Sequence, residues 1–294
     1  MKASPFIDTP PKRYHSLRDP IGRLDLHIAQ RDGKSYSKRQ YYHNALRVIR
    51  PHYLDDSGQV YFQIVNPGGG YLRGDDYHIT VRVDEGASLL LSDQSATKVY
   101  KTPEDRSLQD VHVVLGEDAV FEYLPDQLIA YEDASYAQFM NVQMDSSASL
   151  VTAEIVTPGW SPDGTRFKFQ DVRLHTTVEV DGKLAVLDNL LILPGSSEFT
   201  EDSILYMEDQ THVGSLLAVD RRIDAELLGE LREYLAGLEF KETVRFGVTL
   251  IDGPGLALRS LGTLTEDLYL LNTEVANFLR AKFRNQPRLH LRKY

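Results

Sequence analysis

Two acidic side chains interrupt strongly apolar stretches of this sequence. Glu154 lies inside the apolar run of residues 150–156, and Asp188 lies inside the run of residues 184–191. A carboxylate in such a strand is costly unless it is paired or meets water. These residues therefore either line a wet interior or face outward into solvent, and the pattern leaves both open. Paired carboxylates are also the catalytic groups of most glycosidases, so a β-helical carbohydrate-active enzyme remains an alternative.

Several other catalytic and metal-binding signatures are missing from the 294 residues. There is no cysteine, which excludes disulfide bonds and thiolate metal sites. The nine histidines contain no His-Glu-x-x-His motif and do not cluster, so a hydrolytic zinc site is unsupported. His78 follows a glycine-rich segment closely, and we expect it to be an exposed strand residue.

The composition is that of an acidic protein with an ample core. The formal net charge is −11, which argues against a nucleic-acid-binding protein, and 42% of the residues are hydrophobic. No stretch approaches the roughly 18 apolar residues that a membrane-spanning helix needs. Residues 1–14 lack the apolar core of a signal peptide. We therefore expect a cytoplasmic protein that binds neither nucleic acid nor membrane.

Strand and turn signals dominate the first two hundred residues. Polar and apolar side chains alternate at residues 77–83 and again at residues 166–169, which predicts strands. Asp181 and Gly182 lie between two further strand patterns, and this pair is typical of a two-residue hairpin turn.

A faint repeat runs through these strands. Three times an acidic or small turn is followed by an alanine and then by an apolar strand, at Ala87, Ala119 and Ala148. The spacings of 32 and 29 residues are near those of stacked repeat units. We predict a mainly β fold with layered, coiled, β-helix-like strands. Ordinary hairpins in a sandwich are the alternative that the sequence leaves open.

The pattern changes after residue 214. Helical spacing of apolar residues predicts two α-helices in the C-terminal third, at residues 223–238 and 265–283. Asp220 is the expected N-cap or first-turn acid of the first helix, and Thr265 is the expected N-cap of the second.

No segment has the length or composition of a linker between independent domains. We therefore expect one domain that spans residues 1–294. Its parts are a β-rich body at 22–214, a helix-strand-strand-helix part at 215–283 and a mobile basic tail at 284–294.

Two short motifs flank the strand at residues 77–83. The first, at residues 66–75, is a proline-glycine-glycine turn that ends in Gly-Asp. The second, at residues 94–101, contains Ala-Thr-Lys-Val-Tyr-Lys. Their distinctive residues are Gly68, Gly69, Gly74, Thr97, Lys98 and Tyr100. Taken together, the two motifs closely resemble those of the urease accessory proteins called UreD or UreH. The likeness runs from about residue 22 to residue 283.

This resemblance implies a function that the residues alone do not reveal. Proteins of this family help to insert nickel into urease apoprotein without catalysing a reaction. They work with a helical accessory protein, UreF, and with a GTPase, UreG. The resemblance also implies that Asp75, Glu154 and Asp188 line an internal path for transient nickel, with no cofactor tightly bound. A purely structural β-adaptor without a cation role is a further alternative.

Overall fold

The computed structural model describes residues 19–195 and 207–291. Within them the chain forms 17 strands and two helices, and all 17 strands belong to two large sheets. The first sheet has seven strands, in the spatial order β14 (Lys183–Ile192), β13 (Asp171–Val180), β11 (Ser135–Met144), β8 (Ser107–Leu115), β5 (Asp76–Val83), β1 (Gly22–Arg31) and β2 (Lys34–Asn44).

The second sheet has ten strands. Eight follow one another in the spatial order β16 (Arg245–Leu250), β17 (Gly255–Gly262), β15 (His212–Val219), β12 (Ser149–Val156), β9 (Val120–Tyr123), β6 (Ser88–Asp93), β4 (Val60–Val65) and β3 (Arg47–Val48). Two short strands, β7 (Thr97–Val99) and β10 (Leu128–Ala130), pair with each other, and β10 also pairs with β12.

The body is coiled in layers, as the repeat predicts. Strands β5, β8, β11 and β13 are parallel neighbours in the first sheet, and β6, β9 and β12 are parallel neighbours in the second. Ala87, Ala119 and Ala148 are fully buried at the turns between sheets. Successive layers are joined at these alanines: the Val120 NH donates to the Ala87 carbonyl oxygen at 2.9 Å, and the Ser149 NH donates to the Ala119 carbonyl oxygen at 2.8 Å. The sandwich of ordinary hairpins is therefore wrong.

Two hydrophobic cores hold this architecture together. The larger lies between the two sheets, because alternate residues of each strand point inward. On β5 these are Tyr77, Ile79, Val81 and Val83, all at most 2% exposed. The smaller core lies between the second sheet and the helices. The expected β-rich body (22–214) and the expected helix-strand-strand-helix part (215–283) share this second sheet. Strand β15, at residues 212–219, crosses the boundary between them and pairs with β12.

The two predicted helices are present, with different caps. Helix α1 (Ala225–Ala236) begins after Asp224, whose carboxylate accepts a hydrogen bond from the Leu227 NH at 2.9 Å. The expected cap, Asp220, is instead paired with Arg222 at 2.5 Å. Helix α2 (Thr265–Arg284) already includes Thr265, and its N-cap residue makes no side-chain cap. Both cap predictions are therefore wrong, because each acidic or hydroxyl residue lies off the position that faces the free NH groups.

Two further expectations differ from the structure. Residues 166–169 form no strand, because Phe167 has a φ of 56° and the segment leaves the extended region. His78 is not exposed: it is 3% exposed, because it lies in register between Arg23 of β1 and Asp110 of β8. In the segment expected to be a mobile tail, Leu289 is 6% exposed and belongs to the smaller core. Residues 292–294 lie outside the described part.

Candidate functional site

The two sequence motifs meet in space through their backbones. The Tyr71 NH donates to the Lys98 carbonyl oxygen at 2.8 Å, and the Tyr100 NH donates to the Tyr71 carbonyl oxygen at 2.9 Å. Gly70 lies at the closest approach, where an added Cβ would lie 2.5 Å from the Tyr100 ring and 2.9 Å from the Lys98 oxygen. Gly70 was not named among the distinctive motif residues, although it lies in the same glycine-rich turn.

The other motif glycines shape the turn. Gly69 and Gly74 have φ values of 78° and 75°, in the left-handed region that favours glycine. Gly68 is in ordinary backbone conformation, and its NH donates to the Asn66 side-chain oxygen at 3.0 Å. These contacts hold the turn in the shape that places Asp75 directly before the start of β5.

The carboxylate of Asp75 joins the turn to the interior. One of its oxygens accepts hydrogen bonds from the Leu72 NH at 2.7 Å and from the Tyr77 hydroxyl at 3.1 Å. The Tyr77 ring stacks on Tyr71 with ring centroids 3.8 Å apart. Asp75 therefore acts as a turn cap and at the same time lies at the edge of the inter-sheet core.

A line of polar side chains continues from Tyr71 through the core. The Tyr71 hydroxyl donates to the Gln109 side-chain oxygen, and the Gln109 amide donates to the Gln138 oxygen at 2.9 Å. Tyr136 also donates to that oxygen, at 3.2 Å, and the Gln138 amide donates to Glu154. Gln109 and Gln138 are buried at paired positions of β8 and β11, so two coil layers place them side by side.

Glu154 faces this inter-sheet space from β12. Burial, together with the negative charge of Asp188, raises the pKa of its carboxyl from 4.5 to about 7. The hydrogen bond from Gln138 and the positive charge of Arg259 oppose that rise. Near neutral pH the side chain is therefore close to half ionised, so a small change in its surroundings changes its charge.

Asp188 lies at the far end of the line, where the edges of the two sheets approach each other. Its carboxylate forms an ion pair with Arg259 of β17, and its side chain is 33% exposed. Glu154 and Arg259 both pair with Ser215 of β15, so the three residues form one row across the second sheet. Beside this row an open groove of about 600 Å³ runs between β14 and β16.

Two small cavities lie along the same line. One, of about 40 Å³, is lined by Gly69, Gly70 and Lys98 among others, and the next, of about 30 Å³, is lined by Glu154 and Gln138. Both are also lined by Asp93 and Thr97. A buried water needs roughly 10–15 Å³ of such space and polar neighbours, so each cavity can hold water. Neither has room for a sugar ring.

The structure adds polar wall residues that sequence reasoning missed. They are Asp93, Gln109, Asp126 and Gln138. Asp93 could have been found from the alternation of β6, because it follows Leu89 and Leu91 on the inward face. The glutamines could not, because only the stacking of layers brings residues 29 positions apart into contact.

The second motif supplies part of the wall and part of the frame. Thr97 lines both cavities, and Lys98 lines the one beside the glycine turn. Tyr100 packs against Tyr131, with ring centroids 4.8 Å apart. The role of Tyr100 in the structure is thus contact with neighbouring loops, whereas Thr97 also meets the cavities.

The predicted carboxylates are strung along a line and do not surround one point. Within residues 19–195 and 207–291, Asp75, Glu154 and Asp188 form no compact three-ligand group. Tyr71, Tyr123 and Tyr136 have pKa values well above the usual range because they are buried, so their hydroxyls stay protonated. The site thus offers successive oxygen atoms, with no residue placed as an activated nucleophile among those described for it.

The fold and the site define a β-solenoid protein with a polar line between its sheets. A family model described as UreD urease accessory protein matches residues 21–293. A UreD of Paenarthrobacter aurescens is 45% identical over 277 residues, which cover 93% of this chain and 95% of that protein. A UreD of Bacillus cereus is 33% identical over 278 residues, covering 95% and 100%.

A third relative, the urease accessory protein UreD of Actinomyces naeslundii, is 45% identical over 273 residues, covering 93% of this chain and 98% of that protein. The chain therefore belongs to the UreD family of urease accessory proteins, which supports a role in urease maturation. The family assignment lends no support to the carbohydrate-active enzyme. No helix among the described residues has the length and apolar character needed to cross a membrane.

Proposed function

We propose that this protein is a non-catalytic scaffold that passes nickel ions to urease apoprotein along the line between its two sheets. The observation that carries the proposal is the hydrogen-bonded chain that runs from Tyr71 through Gln109 and Gln138 to Glu154. At its other end the Tyr71 ring stacks on Tyr77, whose hydroxyl donates to Asp75. It passes through the core of a protein whose family assists urease maturation. Its partners in the cytoplasm are urease apoprotein, a UreF-type helical protein and, through it, a UreG-type GTPase.

The chemistry of the wall suits transient binding. Carboxylate, amide and phenol oxygens are acceptable ligands for nickel, but the line offers neither thiolates nor a closed ligand set. The cavities are too small for an ion with its complete water shell, so the ion would exchange waters for wall oxygens as it moves. Weak sites in series favour release, because a tightly binding site would hold the ion.

Glu154 is placed to respond to a passing cation. Its pKa of about 7 keeps the buried carboxyl partly protonated while the line is empty of ions. An approaching divalent cation favours the ionised form, so binding releases a proton, and departure allows the proton to return. This exchange avoids leaving an uncompensated charge in the core, which would be costly.

Exposed apolar residues lie beside the Asp188 end of the line. They are Leu184, Leu187, Leu191 and Leu193, each at least 42% exposed on or just after the edge strand β14. The neighbouring groove of about 600 Å³ is lined by Leu190, Phe246 and Leu261 among others. A groove with apolar residues in its wall suits the apolar face of an amphipathic helix. We assign it to the UreF-type helical partner, which leaves the Asp75 end for urease.

Passage of nickel along the polar line is tested by measuring the nickel content and the activity of urease purified from a heterologous urease operon at limiting nickel. We expect Glu154→Gln, alone or with Asp75→Asn and Asp188→Asn, to lower both while urease is produced in normal amount. Glu117→Gln is the matched control, because it makes the same change at an exposed turn. Normal nickel content with the triple variant would refute passage and favour the structural adaptor.

The docking assignment has its own test. We expect Leu187→Lys to abolish co-purification of the UreF-type protein and to leave binding to urease intact. Ile49→Lys is the control, because Ile49 is 47% exposed and lies on a different edge of the body. Loss of urease binding with retention of the helical protein would reverse the assignment of the two ends.

A further inference from the structure

A second cluster of ligand-type side chains lies on the opposite face of the first sheet. It consists of Asp76 and His78 of β5 and Asp110 of β8. The Nε2 atom of His78 is 3.2 Å from Asp76 Oδ1 and 4.0 Å from Asp110 Oδ2. One ligand atom from each residue lies within 4.8 Å of the other two.

The cluster is separate from the proposed nickel line. Side chains alternate between the faces of a strand, so Tyr77 and Ile79 point into the inter-sheet core while Asp76 and His78 point away from it. Asp110 is paired with His78 across the β5–β8 ladder and shares that outward face. The sheet itself therefore separates this cluster from the line that ends at Asp75.

The buried carboxylate of Asp76 needs a positive charge beside it. Asp76 is 2% exposed and Asp110 is fully buried. Among the described residues neither oxygen of Asp76 makes a hydrogen bond, and its 3.2 Å approach to His78 lacks hydrogen-bond geometry. The arginine in register on β1, Arg23, directs its guanidinium to Asp25 at 3.0 Å. A carboxylate held this way is expensive unless a cation lies beside it.

We propose that Asp76, His78 and Asp110 bind one divalent transition-metal ion that joins β5 to β8. Two carboxylates and one neutral imidazole balance the charge of the ion. The mixed oxygen and nitrogen donors suit Mn²⁺, Fe²⁺, Co²⁺, Ni²⁺ or Zn²⁺ better than Mg²⁺ or Ca²⁺. With bonds of about 2.1 Å, neighbouring ligands stand roughly 3 to 3.5 Å apart, so the cluster needs only a small contraction.

Burial determines how the site is filled and what it does. With ligands at most 3% exposed, the ion enters as the chain folds and stays bound. Such a resident ion stabilises the sheet and is distinct from nickel in transit. Its loss therefore lowers the stability of the protein before it affects delivery to urease.

The test uses the full-length chain produced in medium supplemented with Co²⁺. We expect about one cobalt per chain by elemental analysis and a visible absorption band from the bound ion. His78→Gln and Asp76→Asn should each remove most of the cobalt and the band. Glu154→Gln should retain both while it impairs nickel delivery, so the two proposals can fail separately.

The outcomes that overturn the site do not depend on the variants folding. X-ray absorption of the cobalt-loaded wild-type chain must show an imidazole and oxygen ligands, and a spectrum without imidazole rejects the assignment. Failure to retain any of Mn²⁺, Co²⁺, Ni²⁺ or Zn²⁺ during production also rejects it. Equal cobalt in folded His78→Gln and wild-type protein, with folding checked by circular dichroism, places the ion elsewhere.

Discussion

Replacing Glu154 by glutamine should change how the stability of this protein depends on pH. The folded-state pKa of about 7 lies above the usual value of 4.5, so between these pH values the folded protein keeps a proton that the unfolded chain releases. The stability that this proton contributes is complete below pH 4.5 and is lost as the pH rises towards 7. Above pH 7 the folded protein contains a partly buried carboxylate.

The magnitude follows from the two pKa values. Their difference, at about 1.4 kcal/mol for each pKa unit, corresponds to about 3 kcal/mol. Because the side chain is only partly buried by its surface area, about 2–3 kcal/mol is the effect we expect. Glutamine keeps the shape and the contact with Gln138 but cannot ionise. The variant therefore does not lose stability at this position as the pH rises.

Urea unfolding of wild type and Glu154→Gln at pH 5, 6, 7 and 8 measures the effect. The difference in unfolding free energy should move in favour of glutamine by about 2–3 kcal/mol between pH 5 and pH 8. Groups that titrate equally in both proteins cancel in this difference, and Glu117→Gln provides the exposed control. A difference that stays within about 0.5 kcal/mol across the range would refute the raised pKa.

Substitutions at three further positions test the packing of the protein. Arg280→Met leaves the fully buried Glu122 short of a partner and should lower the unfolding free energy by about 3–5 kcal/mol in urea titrations; a loss below about 1 kcal/mol would contradict a buried ion pair. Gly70→Ala places a methyl group against Tyr100 and should cost about 1–3 kcal/mol, seen as a lower thermal midpoint. Asp224→Ala removes the cap of α1 and should cost about 1 kcal/mol, whereas Asp224→Asn should cost less.

Local patterns in the sequence were enough for much of the fold. The alternation at residues 77–83 predicted an inward row that is indeed buried on β5. Asp181 and Gly182 predicted a hairpin, and both have positive φ in the turn between β13 and β14. The alanines at 32- and 29-residue spacing predicted stacked layers. These successes share a cause, because strand period, turn conformation and repeat length depend on residues that are near in sequence.

The helices show where local reasoning becomes less precise. Their apolar spacing placed α2 correctly to within one residue of its C-terminal end. The cap predictions were wrong by a few residues. The cap of α1 is Asp224, four residues after the expected Asp220, and Thr265 lies one residue past the cap position of α2. The direction of the chain entering a helix decides the cap, and that direction is set by packing against the second sheet.

Contacts between layers were beyond the reach of the sequence. Gln109 meets Gln138, and Asp188 meets Arg259, across 29 and 71 positions of the chain. No local period predicts such pairs, because their distance depends on the register between coils and on where the two sheet edges converge.

The sequence by itself determined the motifs that identify the family and the apolar run in which Glu154 lies, but it left open which way Glu154 faces. Only the tertiary structure decided that Asp75, Glu154 and Asp188 belong to one polar line, and that His78 is buried between two carboxylates. The physical reason is that side-chain chemistry follows from residue type, whereas the pKa and the ligand sets follow from neighbours brought together by the stacking of layers.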